Sequence, residues 1–306
     1  MLESPARRAF KEMTGQNNHF LITILVGLAA VEDGTAMLRP EMRTSWAPRD
    51  SIRSAARSRE FAIKAMLAWL VDAIDTYIRM LARDPIVANP EVLDSIQIAI
   101  DEEEGIAGKV RRVAAATGQA RSAEAVLVEM AITWRNRLVH LQSKSKISKP
   151  LIKDSLTHAA QFTESYRGLV IEDLIKRAQR QPATAPTVKE ITAMVRAAHK
   201  FIERVDGYLL TDLDLERYLR ETLYQYLTEN KELDPGSVMS RSSNVWGRSL
   251  ERRKSTIVQI ALNRGFSGYR DGAPNKLSET AIERLANLTP AQAVAELNSA
   301  TPGKEA

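Results

Sequence analysis

The chain has 306 residues, a formal charge of +5 and a sequence pI of about 9.4. That length holds one large or two ordinary domains, and 44% hydrophobic with 26% charged residues excludes a disordered or fibrous chain. The absence of cysteine excludes a disulfide framework, a thiolate zinc site and a cysteine nucleophile, and fits a reducing cytoplasm. The basic excess suits a polyanionic partner.

The longest apolar run, residues 20–31, falls short of the roughly 18 residues that span a bilayer. Arg7, Arg8 and Lys11 precede it as in a secretory leader. Glu3 and Glu12 lie in the same stretch, Glu32 and Asp33 follow, and no small-residue cleavage site is evident. The expectation is a buried helix and no membrane association.

Residues 53–83 carry Phe61, Met66, Leu70, Ile74, Tyr77 and Leu81 at helical spacing. Asp50 and Ser51 can cap this helix, and Asp84-Pro85 stops it. A shorter helix is expected over 90–104, ending at Gly105. Another covers 121–141 with Ser122 as its cap, and one long amphipathic helix covers 150–181. Residues 181–187 hold two prolines and no large apolar side chain, and so predict a linker. Helices follow over 188–210 and 213–230. Asp234-Pro235-Gly236-Ser237 breaks the pattern, and a basic helix over 244–264 leads into a glycine-bearing loop at 265–274. Short helices at 278–288 and 290–298 close the chain. No hairpin signal and no fixed repeat appears. The expected fold is all-α: a helical bundle with a smaller helical C-terminal region. The expected division is 1–49, 50–182 and 183–306.

The chemistry concentrates in Thr133-Trp134-Arg135-Asn136-Arg137-Leu138-Val139-His140. An arginine fork holds a phosphate through paired charged hydrogen bonds, and a histidine moves protons near neutral pH. Among the four histidines, only His140 has an arginine five residues before it. From Trp134 to Lys153 there are six cations and no acidic residue. Arg137, Lys144, Lys146 and Lys149 are therefore candidates to track an RNA backbone. A solvated loop between helices is the other reading of that segment.

Arg135-Asn136-x-x-x-His140, at the end of an apolar helix between two long helical stretches, closely resembles the Arg-Asn-x-x-x-His motif of the HEPN superfamily. The resemblance covers about residues 50–181. It implies an all-helical ribonuclease of the kind found as toxins and in phage defence. By that resemblance Arg135 binds the scissile phosphate, and Asn136 positions the phosphate or the histidine. His140 acts as general base on the ribose 2′-hydroxyl or as general acid on the leaving 5′-oxygen. No metal or other cofactor is called for, and the products are a 2′,3′-cyclic phosphate and a 5′-hydroxyl. One histidine does not readily serve as both acid and base, and the chain has one such motif. The resemblance therefore implies a homodimer with a composite site. A five-residue step also sets Arg135 and His140 about 140° apart on an ideal helix. Some toxins of the family carry a tyrosine two residues after the histidine, which a partner nucleotidyltransferase modifies. Gln142 stands there in this chain, which disfavours that mode of inhibition and leaves other inhibitors or defence-system partners open.

The competing reading is a non-catalytic helical module that binds nucleic acid, a nucleotide or a protein. In it, an arginine and a histidine at a helix C-terminus complement the macrodipole. Asp72 and Asp75 either support the motif residues or face solvent. Arg241, Arg248, Arg252, Arg253 and Lys254 form a second basic patch, with Trp246 either stacking on a base or buried. The acidic run 101–104 lacks calcium-loop spacing and is expected to be a solvated helix end. No phosphate-binding glycine loop or serine-hydrolase elbow is present.

Overall fold

The structure, a computed structural model, describes residues 3–42, 45–83, 85–102, 104–139, 146–228, 235–266 and 277–299. These residues form fourteen α-helices and no strand. They are α1 (Pro5–Glu32), α2 (Ser51–Leu81), α3 (Pro90–Asp101), α4 (Ile106–Ala116), α5 (Ala123–Val139), α6 (Lys149–Thr157), α7 (Ala159–Ser165), α8 (Ile171–Ala178), α9 (Val188–Thr211), α10 (Leu215–Thr228), α11 (Pro235–Trp246), α12 (Leu250–Asn263), α13 (Glu279–Ala286) and α14 (Pro290–Ser299). The protein is all-α.

Several starts follow from side chains that satisfy the first free N–H groups. Asp50 Oδ1 accepts from Arg53 N at 2.9 Å, Asn89 Oδ1 from Val92 N at 3.0 Å and Ser122 Oγ from Ala125 N at 3.2 Å. Thr187 and Glu190 form a reciprocal capping box at the start of α9.

Four expectations are corrected. The apolar run 20–31 is helical but not buried: Leu21 is covered, whereas Phe20, Ile24 and Val26 are exposed. Phe61 is also exposed, because it lies about 140° from the Met66, Leu70, Ile74, Tyr77 and Leu81 stripe on α2. Phe20, Ile24, Phe61 and Trp69 line an apolar groove of about 670 Å³. The single helix expected over 150–181 is three helices. The chain kinks at His158 and turns sharply after α7, where Arg167 (φ 53°) and Gly168 (φ 73°) are left-handed. Finally, the stretch from Pro235, expected to interrupt the helices up to 244, begins α11, since proline lacks only an N–H that the first turn does not use.

The chain forms two compact units, each assembled from separate stretches. They follow neither helix ends nor the linear division into three segments. The first comprises Met1–Arg8, Arg79–Asp94 and Val205–Ala306. Its core gathers Tyr218, Leu223 and Leu227 of α10, Trp246 of α11, Ile257 of α12, Leu285 of α13 and Leu297 of α14. The Trp246 indole N–H donates to Leu285 O at 2.8 Å. Asp206 is fully buried in this unit and accepts from the backbone N–H (2.9 Å) and the hydroxyl of Ser4.

The second unit comprises Ala9–Ile78 and Ser95–Arg204. Leu67, Leu70 and Ile74 of α2, Val110 and Val113 of α4, Phe162 of α7, Leu174 of α8 and Phe201 of α9 are buried there with most of α5. Helix α5 packs on α4 and α6, and α6, α7 and α8 pack on one another. Arg112 bridges Glu102 and Glu104, so this end of the acidic run is tied by ion pairs. No helix among the described residues is long and apolar enough to cross a membrane.

Burial pushes the Asp206 carboxyl above the usual carboxylate range, and the hydrogen bonds from Ser4 offset this only in part. The folded chain then holds this proton to higher pH than the unfolded chain does. Asp206 therefore costs stability as pH rises from the unfolded carboxyl range through its raised folded value. Asp206→Asn removes the titration. The urea midpoint of the variant relative to wild type should rise as pH climbs above the unfolded carboxyl range, about pH 4, and level off once the folded carboxyl has ionised. Parallel profiles would show that Asp206 does not titrate as described.

Candidate functional site

Ten of the seventeen residues of α5 are buried, including Glu124 and Trp134. The polar side chains buried on a helix this enclosed each need a protein partner. Glu124 is salt-bridged to Arg204 at 2.5 Å and accepts from the Tyr166 hydroxyl at 3.2 Å. Burial raises the Tyr166 pKa, and the Glu124 charge adds to the effect, so the phenol stays a neutral donor. Glu129 pairs with Arg111 at 2.6 Å. The Trp134 indole N–H donates to Thr184 O at 2.9 Å, which ties residues 181–187 to α5 instead of leaving them a free linker.

Arg137, an RNA-binding candidate by sequence, has structural contacts as well. Its guanidinium donates to Ala178 O and, at 3.1 Å, to Arg180 O. It thereby covers the unsatisfied carbonyls at the end of α8, where positive charge also suits the helix dipole. Arg137 also lines a small pocket of about 210 Å³ with Lys146, Ile147, Gln179 and Gln181. The structure therefore brings two of the four candidate RNA-binding cations to one place. Lys149 is exposed at the first turn of α6, which Ser148 caps. Lys144 lies outside the described residues, as do His140 and Gln142.

Arg135 differs from the other charged residues of α5. It lies in register with Glu124, Val128 and Ala131, at the C-terminal end of a buried stripe. Its Nη1 donates to Asn136 Oδ1 at 3.2 Å, whereas its Nε is buried and has no hydrogen-bond partner among the described residues. No carboxylate among them pairs with it. Asp75 is buried and pairs with Lys109 at 3.2 Å, and Asp72 is exposed. Arg135 and Asn136 thus form a coupled pair, and among the described residues the cation's other donors have no protein acceptor. A five-donor guanidinium held this way suits an oxyanion with two oxygens to offer.

The second basic patch is largely committed to its own unit. Arg241 donates to Tyr226 O, Arg253 to Arg248 O, Ala286 O and Leu288 O, and Lys254 to Glu283. Trp246 is fully buried and does not present a face for stacking. Among the described residues, no three His, Asp or Glu side chains converge as a metal site. Sequence reasoning missed Glu124, Tyr166 and Arg204, whose partners stand 42 and 80 residues apart in the chain. The acid that opens a buried helix was the available signal.

No protein-family model, no curated protein and no solved structure matches this chain.

The contrast between the neighbouring arginines sets a stability test. Arg137→Ala removes two charged hydrogen bonds to helix-end carbonyls and should cost about 1–3 kcal/mol in urea unfolding. Arg135→Ala removes one local bond and relieves a buried unpaired N–H, so its effect should stay within about 1 kcal/mol. A larger loss at Arg135 than at Arg137 would mean that Arg135 is held by contacts other than those described.

Proposed function

We propose that this protein is a metal-independent endoribonuclease of the HEPN type, working in the cytoplasm as a homodimer and serving phage defence or growth control as a toxin. The observation that carries the reading is Arg135, whose charge no carboxylate neutralises among the described residues, at the end of a helix whose other charged groups are all engaged. The Arg137 and Lys146 pocket beside the motif supports it, since it extends positive charge along a path for the RNA backbone.

RNA carries its own nucleophile, because the 2′-hydroxyl sits beside the phosphodiester and proximity is built in. A base removes the 2′-hydroxyl proton, the 2′-oxygen forms a bond to phosphorus, and the bond from phosphorus to the 5′-oxygen breaks. An acid returns a proton to that 5′-oxygen. Arg135 stabilises the charge gathering on the phosphate oxygens, and Asn136 holds the guanidinium through its side-chain oxygen. His140 performs one proton transfer, and the motif of a second copy supplies the other. The products are a 2′,3′-cyclic phosphate and a 5′-hydroxyl.

The test is incubation of the purified chain with a mixed RNA pool in excess EDTA, followed by end-group analysis. Cleavage should persist and leave cyclic-phosphate and 5′-hydroxyl ends. Arg135→Ala and His140→Ala should each lower the rate by roughly 10²-fold to 10⁴-fold. Cleavage abolished by EDTA, or undiminished in both variants, would falsify the proposal.

A further inference from the structure

The second unit holds another positively charged pocket, away from the motif. The turn after α7 and the first three turns of α9 form a half-open pocket of about 420 Å³, lined by Tyr166, Arg167, Val188, Lys189, Thr192, Ala193 and Arg196. Arg135 and Asn136 are not among these residues. Three of the seven are cations and none is acidic.

Among the described residues, Arg167, Lys189 and Arg196 make no ion pair with a carboxylate. Glu190, next to Lys189 in sequence, is taken by Arg177 and by the Thr187 N–H. The cleft between α4, α5 and α6 is also about 420 Å³ but its charges are paired: Arg111 with Glu129 at 2.6 Å and Arg121 with Asp154 at 3.8 Å. Like charges gathered around a small cavity repel one another, and an anion placed among them relieves that repulsion.

The cations are also positioned. Arg196 stands 5.9 Å from the centroid of the Tyr166 ring, and Lys200 of the same helix stands 5.2 Å from it. Both distances are within cation–π range. Tyr166 is itself buried and fixed by its hydrogen bond to Glu124. Lys189 Nζ donates to Gly168 O at 2.6 Å, which orients the ammonium and leaves two of its three donors. Arg167, which also lines the pocket, occupies left-handed backbone at φ 53°. Thr192 adds a hydroxyl, and Val188 and Ala193 supply apolar wall.

We propose that this pocket binds a small phosphate-bearing anion, a phosphomonoester or an inorganic polyphosphate, through Arg167, Lys189 and Arg196. The volume falls in the range of small-molecule sites, and the three cations come from two short stretches of chain that line one half-open pocket. Guanidinium forks and an ammonium are the usual partners of phosphate oxygens. The proposal is independent of ribonuclease activity at the motif.

Calorimetric titration of the full chain tests it with three probes: inorganic pyrophosphate, adenosine monophosphate, and a single-stranded oligoribonucleotide without terminal phosphates. To keep that RNA intact, the titrations use the His140→Ala background. Pyrophosphate or the monophosphate should bind and raise the thermal midpoint. Arg167→Gln and Arg196→Gln, both at exposed side chains, should each weaken binding about tenfold or more. Arg111→Gln, in the neutralised cleft, should leave it unchanged. No binding of either small anion at millimolar concentration overturns the proposal, as does binding that survives the Arg167/Arg196 double variant with its helical content intact. Binding of the oligoribonucleotide alone, lost in that double variant, also overturns it and assigns the pocket to an RNA surface.

Discussion

Enclosing a helix on most sides takes water away from its polar side chains, and each must then find a partner in the protein or be destabilising. Helix α5 imposes this condition on the second unit. Glu124 fixes the position of Arg204 of α9 and of Tyr166 after α7. Trp134 fixes the segment at Thr184, and Arg137 fixes the end of α8. These contacts join stretches far apart in sequence to one helix. Against that background the described residues give the arginine at the same helix end a single hydrogen-bond partner, its neighbour Asn136.

Local chemistry made much of the fold legible. Asp50 and Ser122 cap the helices they were expected to cap, and the Met66 to Leu81 stripe of α2 is buried. The failures have local causes too. Helix α4 is not legible in sequence because Ile106–Ala116 is rich in alanine and offers few large apolar residues to mark a period. The break after α7 falls at Tyr166 to Gly168, where an arginine takes the conformation usually left to glycine. The 20–31 run failed in another way: its helical character was plain, but burial depends on what covers a helix, and its own spacing does not supply that.

The candidate site divides along the same line. Arg135 and Asn136 were marked by spacing and stand together at the helix end. The structural attachment of Arg137 was not readable, because its acceptors are backbone carbonyls 41 and 43 residues away that carry no sequence signature. Trp246 and the cations near it showed the converse. A basic, aromatic-bearing segment looks available for nucleic acid until tertiary structure gives Arg253 three carbonyls and Trp246 a full burial. Which cations pair with a carboxylate is a property of the folded chain, and among the described residues Arg135, Arg167 and Arg196 do not.

The central claim is that Arg135 holds a phosphate of RNA, a claim about binding that can be separated from chemistry. The direct measurement is the affinity of the cleavage-impaired His140→Ala protein for single-stranded RNA, with and without Arg135→Ala, at fixed salt. The account predicts that removing Arg135 weakens binding about tenfold or more and makes the salt dependence shallower by close to one phosphate contact. Equal affinities and equal salt slopes would contradict it, leaving Arg135 a cation without a phosphate to hold.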